Sequence, residues 1–182
     1  MASVHLPIGS RAISPISANI HLTRMARKKS LPDHLVELLE GGHAHITFED
    51  AVKNWPVKLQ GIRPKGAAHS AWEVLEHMRL AQWDILEFTH NTEHISPEWP
   101  AGYWPKSPEP PDGKAGNNAV KSFRADRGAM IKLVQKKGAD FFEPLPHGKG
   151  PTLLREELLV ADHNAYHLGE LVLLRRLLGL IK

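Results

Sequence analysis

The stretch Leu153–Gly179, LLREELLVADHNAYHLGELVLLRRLLG, decides the fold. It reads as one helix that begins near Thr152 and runs to about Leu178, with Gly179 as its stop, about 40 Å long at ~1.5 Å per residue. Within it His163 and His167 stand four residues apart. Positions with that spacing stack on one helical face with Cβ atoms roughly 5–6 Å apart, which lets two imidazoles converge on one metal ion. The pair sits among Val160, Leu171 and Leu174, so it faces the apolar side of the helix. Two ligands do not make a site, and the reading turns on a third.

The third candidate is His77. Ser70-Ala71-Trp72-Glu73 has the form of a capping box, and behind it Val74, Leu75, Met78, Ala81, Ile85, Leu86 and Phe88 recur at intervals of three and four. The pattern predicts a helix over 70–90. His77 shares a face with Val74, Ala81, Asp84 and Phe88, so its ring should point inward. Three inward histidines on two long helices each need a polar partner. A shared metal ion satisfies all three and leaves coordination positions open to water or substrate, as in catalytic sites. The plainer alternative is a set of hydrogen-bonded core histidines, since a bare His-x-x-x-His also arises by chance. Asp84, two turns from His77, reads as a support for such a site or as a solvated acid, and Asp162 poses the same choice. Glu170, three residues beyond His167, can orient a water, act as a base, or form a surface ion pair.

Elsewhere the helical signals are shorter. Ser30-Leu31-Pro32-Asp33 resembles a capping box with proline at the first helical position, which predicts a helix to about Glu40 stopped by Gly41-Gly42. Thr47-Phe48-Glu49-Asp50 opens a helix through Trp55 and on toward Leu59, with Pro56 inside or ending it. In 90–116, HNTEHISPEWPAGYWPKSPEPPDGKAG, six prolines forbid regular structure, while Trp99, Tyr103 and Trp104 add apolar surface that argues for an ordered, functional loop or pocket wall. If exposed, the same aromatics suit a partner surface. Asn117 or Asn118 caps a third helix carrying Val120, Phe123, Met130, Ile131 and Val134, ending at Gly138. No period-two pattern occurs. The expected class is all-α, an antiparallel four-helix bundle with a long Pro/Trp-rich loop between its second and third helices. His147 precedes the last helix by five residues and reads as a pocket candidate or, more simply, an exposed turn histidine. His69 reads the same way, and His43, His45, His90 and His94 read as solvent-facing.

Composition narrows the chemistry. The chain of 182 residues has no cysteine, which excludes disulfides, thiolate ligands and a cysteine nucleophile. Any metal is held by His, Asp, Glu, carbonyls or water. The net charge of +3 comes from the start of the chain, where Arg11, Arg24, Arg27, Lys28 and Lys29 meet no acid. That distribution argues against a basic nucleic-acid face on the folded part. Residues 1–29 read as a basic, disordered extension, with a transit peptide as the alternative, and 30–182 as the bundle domain. No run reaches the ~18 apolar residues of a membrane span, so the default expectation is a cytoplasmic protein without a membrane partner.

HSAWEVLEHMRLAQWDILEF and LLREELLVADHNAYHLGELVLLRRLLG together resemble the DinB-like superfamily of four-helix bundles, which includes YfiT-like metal-dependent hydrolases and bacterial thiol transferases. The resemblance covers about residues 30–180. It implies a metal bound by His77, His163 and His167, nickel or zinc, a homodimer, and a reaction on a small molecule, by hydrolysis or by transfer of a low-molecular-weight thiol. A non-catalytic helical bundle used for metal binding or protein association is the rival expectation, because a fold does not fix a function.

Overall fold

The structure is a computed structural model that describes residues 28–181. Its helices are α1 (Leu31–Glu40), α2 (Phe48–Val52), α3 (Val57–Gln60), α4 (Ala71–His90), α5 (Ala115–Gln135) and α6 (Leu153–Leu177), with one 3-10 turn at Ala101–Tyr103. Among the described residues there is no strand, only an isolated bridge between Pro144 and Thr152. The class is all-α. The basic extension expected over 1–29 lies almost entirely outside the described residues.

Local signals set most of the ends. The Ser70 hydroxyl accepts from Glu73 N at 3.2 Å while the Glu73 carboxylate accepts from Ser70 N at 2.8 Å, the reciprocal pair that satisfies two free donors at the start of α4. Thr152 caps α6 through Arg155 N at 3.2 Å, and Gly179 follows its end at φ 70°. In α1 the proline takes the second helical position, not the first.

Three expectations are corrected. The helix opened by Thr47 stops at Val52, because Asn54 turns left-handed (φ 52°) and Pro56 has no N–H to continue the ladder; α3 restarts after it. Asn117 and Asn118 lie inside α5, which begins at Ala115 behind Lys114 without a side-chain cap. The third correction concerns direction. One apolar cluster joins Trp72, Leu75 and Met78 of α4 with Ala115, Ala119 and Phe123 of α5 and Leu168, Leu171 and Leu174 of α6. A second joins Leu35 and Leu39 of α1 with Leu86, Met130, Val134, Leu153 and Val160. The starts of α4 and α5 therefore share one end of the molecule, and these two helices run in the same direction, opposite to α6. A fully alternating antiparallel order does not allow that. Residues 91–114 carry the chain back along the length of α4 to make it possible.

Between the two clusters lies a polar layer. Gln82 is 1% exposed and donates to the Phe123 carbonyl at 2.7 Å, and Asn164 donates to Gln82 Oε1 at 2.9 Å. This tie between α4, α5 and α6 fixes the register of α4 against α6 and sets His77 opposite His163.

Candidate metal centre

His77 is buried on the inner face of α4, and His163 and His167 project from α6 toward it. Their ligand atoms all lie within 4.8 Å of one another. The Nε2 atoms of His77 and His163 are 3.1 Å apart. Two nitrogens that each lie ~2.0–2.1 Å from one tetrahedral ion are separated by roughly 3.3 Å, so this pair is already spaced as ligands are.

The other ring nitrogens are held. His77 Nδ1–H donates to the Tyr103 carbonyl at 2.9 Å, and His167 Nδ1–H donates to Glu170 Oε2 at 3.1 Å. Each bond fixes the tautomer and leaves Nε2 as the bare lone pair, the arrangement typical of metal-ligating histidines. Burial favours the neutral rings of His77 and His163: it lowers the pKa of His77 despite the Tyr103 bond, and with the neighbouring His167 and His77 it brings His163 down to about 4. The three histidines can hold a metal ion. Neutral imidazoles are the form that binds one.

Two further tiers brace the triad. Asp84 does not reach the histidines; it accepts from the Tyr103 hydroxyl at 2.7 Å and from His94 Nε2 at 2.7 Å, pinning the 3-10 turn whose carbonyl holds His77. Burial and the Asp84 carboxylate push the Tyr103 phenol up to about 12, so it stays a donor. Glu170 bridges His167 to His69, whose Nδ1 lies 3.2 Å from Oε1. The bond from His167, and then that from His69, hold the Glu170 carboxyl below its usual range. Trp104 is stacked between His77 (3.9 Å, 2° between planes) and His69 (4.1 Å, 21°) and forms one wall. Tyr166 lies edge-on to His167 at 4.9 Å.

The structure thus gathers His77, His163, His167, Glu170 and Trp104, with Asp84 one step behind. Three other candidates lie apart. Asp162 is exposed on the outer side of α6. His147 bonds the Phe88 carbonyl at 2.5 Å, eleven residues and so ~16 Å along α4 from His77. Trp99 is 72% exposed and only packs against Tyr103. Two residues expected in solvent are placed otherwise: His69 belongs to the site, and the His94 side chain is 7% exposed against Asp84. His43, His45 and His90 are exposed as expected.

A cavity of about 220 Å³ lies elsewhere, between α2, α3 and the starts of α4 and α5, walled by Trp55, Gln60, Trp72, Leu75, Asn117 and Val120. None of the residues lining it is titratable. No family model, curated protein or solved structure matches the chain.

Proposed function

We propose that this is a DinB-like four-helix bundle protein that binds a divalent metal, nickel or zinc, through His77, His163 and His167 and acts on a small molecule by hydrolysis or thiol transfer. The observation that carries the reading is the convergence of three imidazoles whose outer nitrogens, in His77 and His167, are already committed to fixed acceptors. A bound divalent ion with an open coordination position supplies Lewis-acid chemistry: it polarises a carbonyl or similar group and lowers the pKa of a coordinated water or thiol.

The chain's own residues orient and shield. Both Glu170 oxygens are engaged by imidazole N–H groups, which makes it the residue that aims His167, in place of the base that the sequence also allowed. Tyr103 and Asp84 aim His77 in the same way. Trp104 covers one side with an apolar ring and keeps water from His77. Any thiol arrives as a ligand, because the chain has no cysteine.

A structural reading has one observation in its favour: 3.1 Å between His163 and His77 is also a hydrogen-bond distance. Metal-loaded protein assayed on ester and amide substrates, and on an electrophile with a small thiol, tests the enzymatic reading. Turnover that chelator removes and metal restores supports it. Metal binding with no turnover on any substrate class leaves the metal-binding module.

A further inference from the structure

The cavity of about 220 Å³ between α2, α3 and the starts of α4 and α5 has no part in the metal centre. At ~100° per residue, Trp72 and Leu75 stand roughly 140° and 160° round α4 from His77, so the helix itself separates the two places. An apolar cavity of ~150 Å³ holds benzene, which makes this one large enough for a single aromatic ring with a substituent. The Trp55 and Trp72 indoles, with Leu75, Val120 and Leu171, supply the apolar walls that such a ring needs.

The polar side of the cavity is short of acceptors. Helix α5 starts behind Lys114 without a side-chain cap, and the bonds into its first turn run from Ala115 N to the Asp112 carbonyl and from Asn118 N to the Lys114 carbonyl. The N–H groups of Gly116 and Asn117, two residues of the cavity wall, are left without an acceptor among the described residues. Gly116 is buried, where an unpaired backbone donor is costly. The same glycine shapes the wall: a Cβ there would overlap Gln60 Oε1, so its missing side chain lets the Gln60 amide lie against the first turn of α5.

The buried side-chain atoms without a partner at this end are donors too, Trp55 Nε1 and Arg175 Nε. Arg175 is 7% exposed, and its guanidinium carbon lies 5.4 Å from the centre of the Trp55 ring. It bonds the Ala51 and Lys53 carbonyls at 3.1 and 2.7 Å, and no carboxylate among the described residues pairs with it. No acid lines the cavity either. A buried cation behind Trp55, the positive end of a 21-residue helix and free N–H donors all favour a negative charge that the described residues do not supply.

We propose that this cavity is a binding site for a small aromatic monocarboxylate, its ring against the Trp55 and Trp72 indoles and its carboxylate at the first turn of α5. The site shares no residue with the metal centre and stands or falls separately from it.

Benzoate and its uncharged counterpart benzamide test this, titrated to ~10 mM into the full chain, with and without metal, while the indole N–H signals of its five tryptophans are followed by NMR. Benzoate should shift the Trp55 and Trp72 signals, leave that of Trp104 beside the histidines in place, and bind about tenfold more tightly than benzamide, because its bonds are charge-assisted. Asn117→Asp sets an acid in the first turn of α5, where the helix dipole favours it, so the fold is kept. Benzoate should then bind about tenfold more weakly and benzamide as before. Val120→Phe fills the cavity and should weaken both ligands about tenfold or more. Absence of shifts at Trp55 and Trp72, shifts confined to Trp104, or equal affinities for benzoate and benzamide would overturn the proposal. So would an Asn117→Asp variant that binds benzoate as the wild type does.

Discussion

Replacing Glu157 by glutamine should flatten the pH dependence of this protein's stability between about pH 5 and pH 8. Glu157 is 0% exposed on α6, neither carboxylate oxygen has a hydrogen-bond partner, and Glu156 beside it is also buried. Burial, reinforced by Glu156, pushes its carboxyl up from 4.5 to about 8. A raised folded-state pKa sets the sign. Below the unfolded value both states hold the proton and there is no effect. Between the two values the unfolded chain is ionised while the folded one keeps its proton, so stability falls by about 1.4 kcal/mol per pH unit, and above the folded value it levels off. For a chain of this size 1 kcal/mol moves Tm by about 2–4 °C, which makes the slope about 3–6 °C per pH unit. Calorimetric melts of both proteins from pH 4 to 9 measure it. The Tm difference, variant minus wild type, should grow steadily across the window and stop growing near pH 8. Parallel curves would refute the reasoning and mean that the carboxylate finds a partner in solution.

Three further outcomes follow from the site and its scaffold. Tyr103→Phe removes the hydroxyl bonded to Asp84 and loosens the carbonyl that aims His77, so metal affinity in a competition titration should drop about tenfold; an unchanged affinity would show that Asp84 does not position that turn. Glu170→Gln should cost about 10–100-fold in the same titration, while Asp162→Asn leaves it unchanged, and equal effects of the two would remove Glu170 from the site. Ser70→Ala deletes both the α4 cap and a 2.6 Å bond to the Pro108 carbonyl and should destabilise by about 1–3 kcal/mol in urea melts, whereas a loss under ~0.5 kcal/mol would contradict the capping account.

What the sequence made legible was local. The Ser70 and Thr152 caps, the glycine stops and the three-and-four periodicity give α4 and α6 to within a residue or two, and the inner faces of those helices hold the three histidines. The direction of α5 was not legible, because neither its own pattern nor the prolines of 91–114 say which way the chain returns. His69 and His94 were missed for a related reason. Each lies outside a helix and gains its role from a residue distant in space, His69 from Trp104 and Glu170, His94 from Asp84. A signal for His94 did exist: an aspartate on the inner face of α4 needs a donor, and the only basic side chains near the end of that helix are histidines. The polar layer of Gln82 and Asn164 gave no such signal, since both residue types are equally at home on a surface.

The central claim is that His77, His163 and His167 are ligands to one ion. Protein stripped with chelator and titrated calorimetrically with zinc and with nickel tests it most directly. The account predicts about one ion per chain, binding lost in His77→Ala, His163→Ala and His167→Ala, and binding retained in His43→Ala, whose histidine is exposed and outside the triad. A wild type that binds neither ion, or a His163→Ala variant that binds as the wild type does, would contradict it.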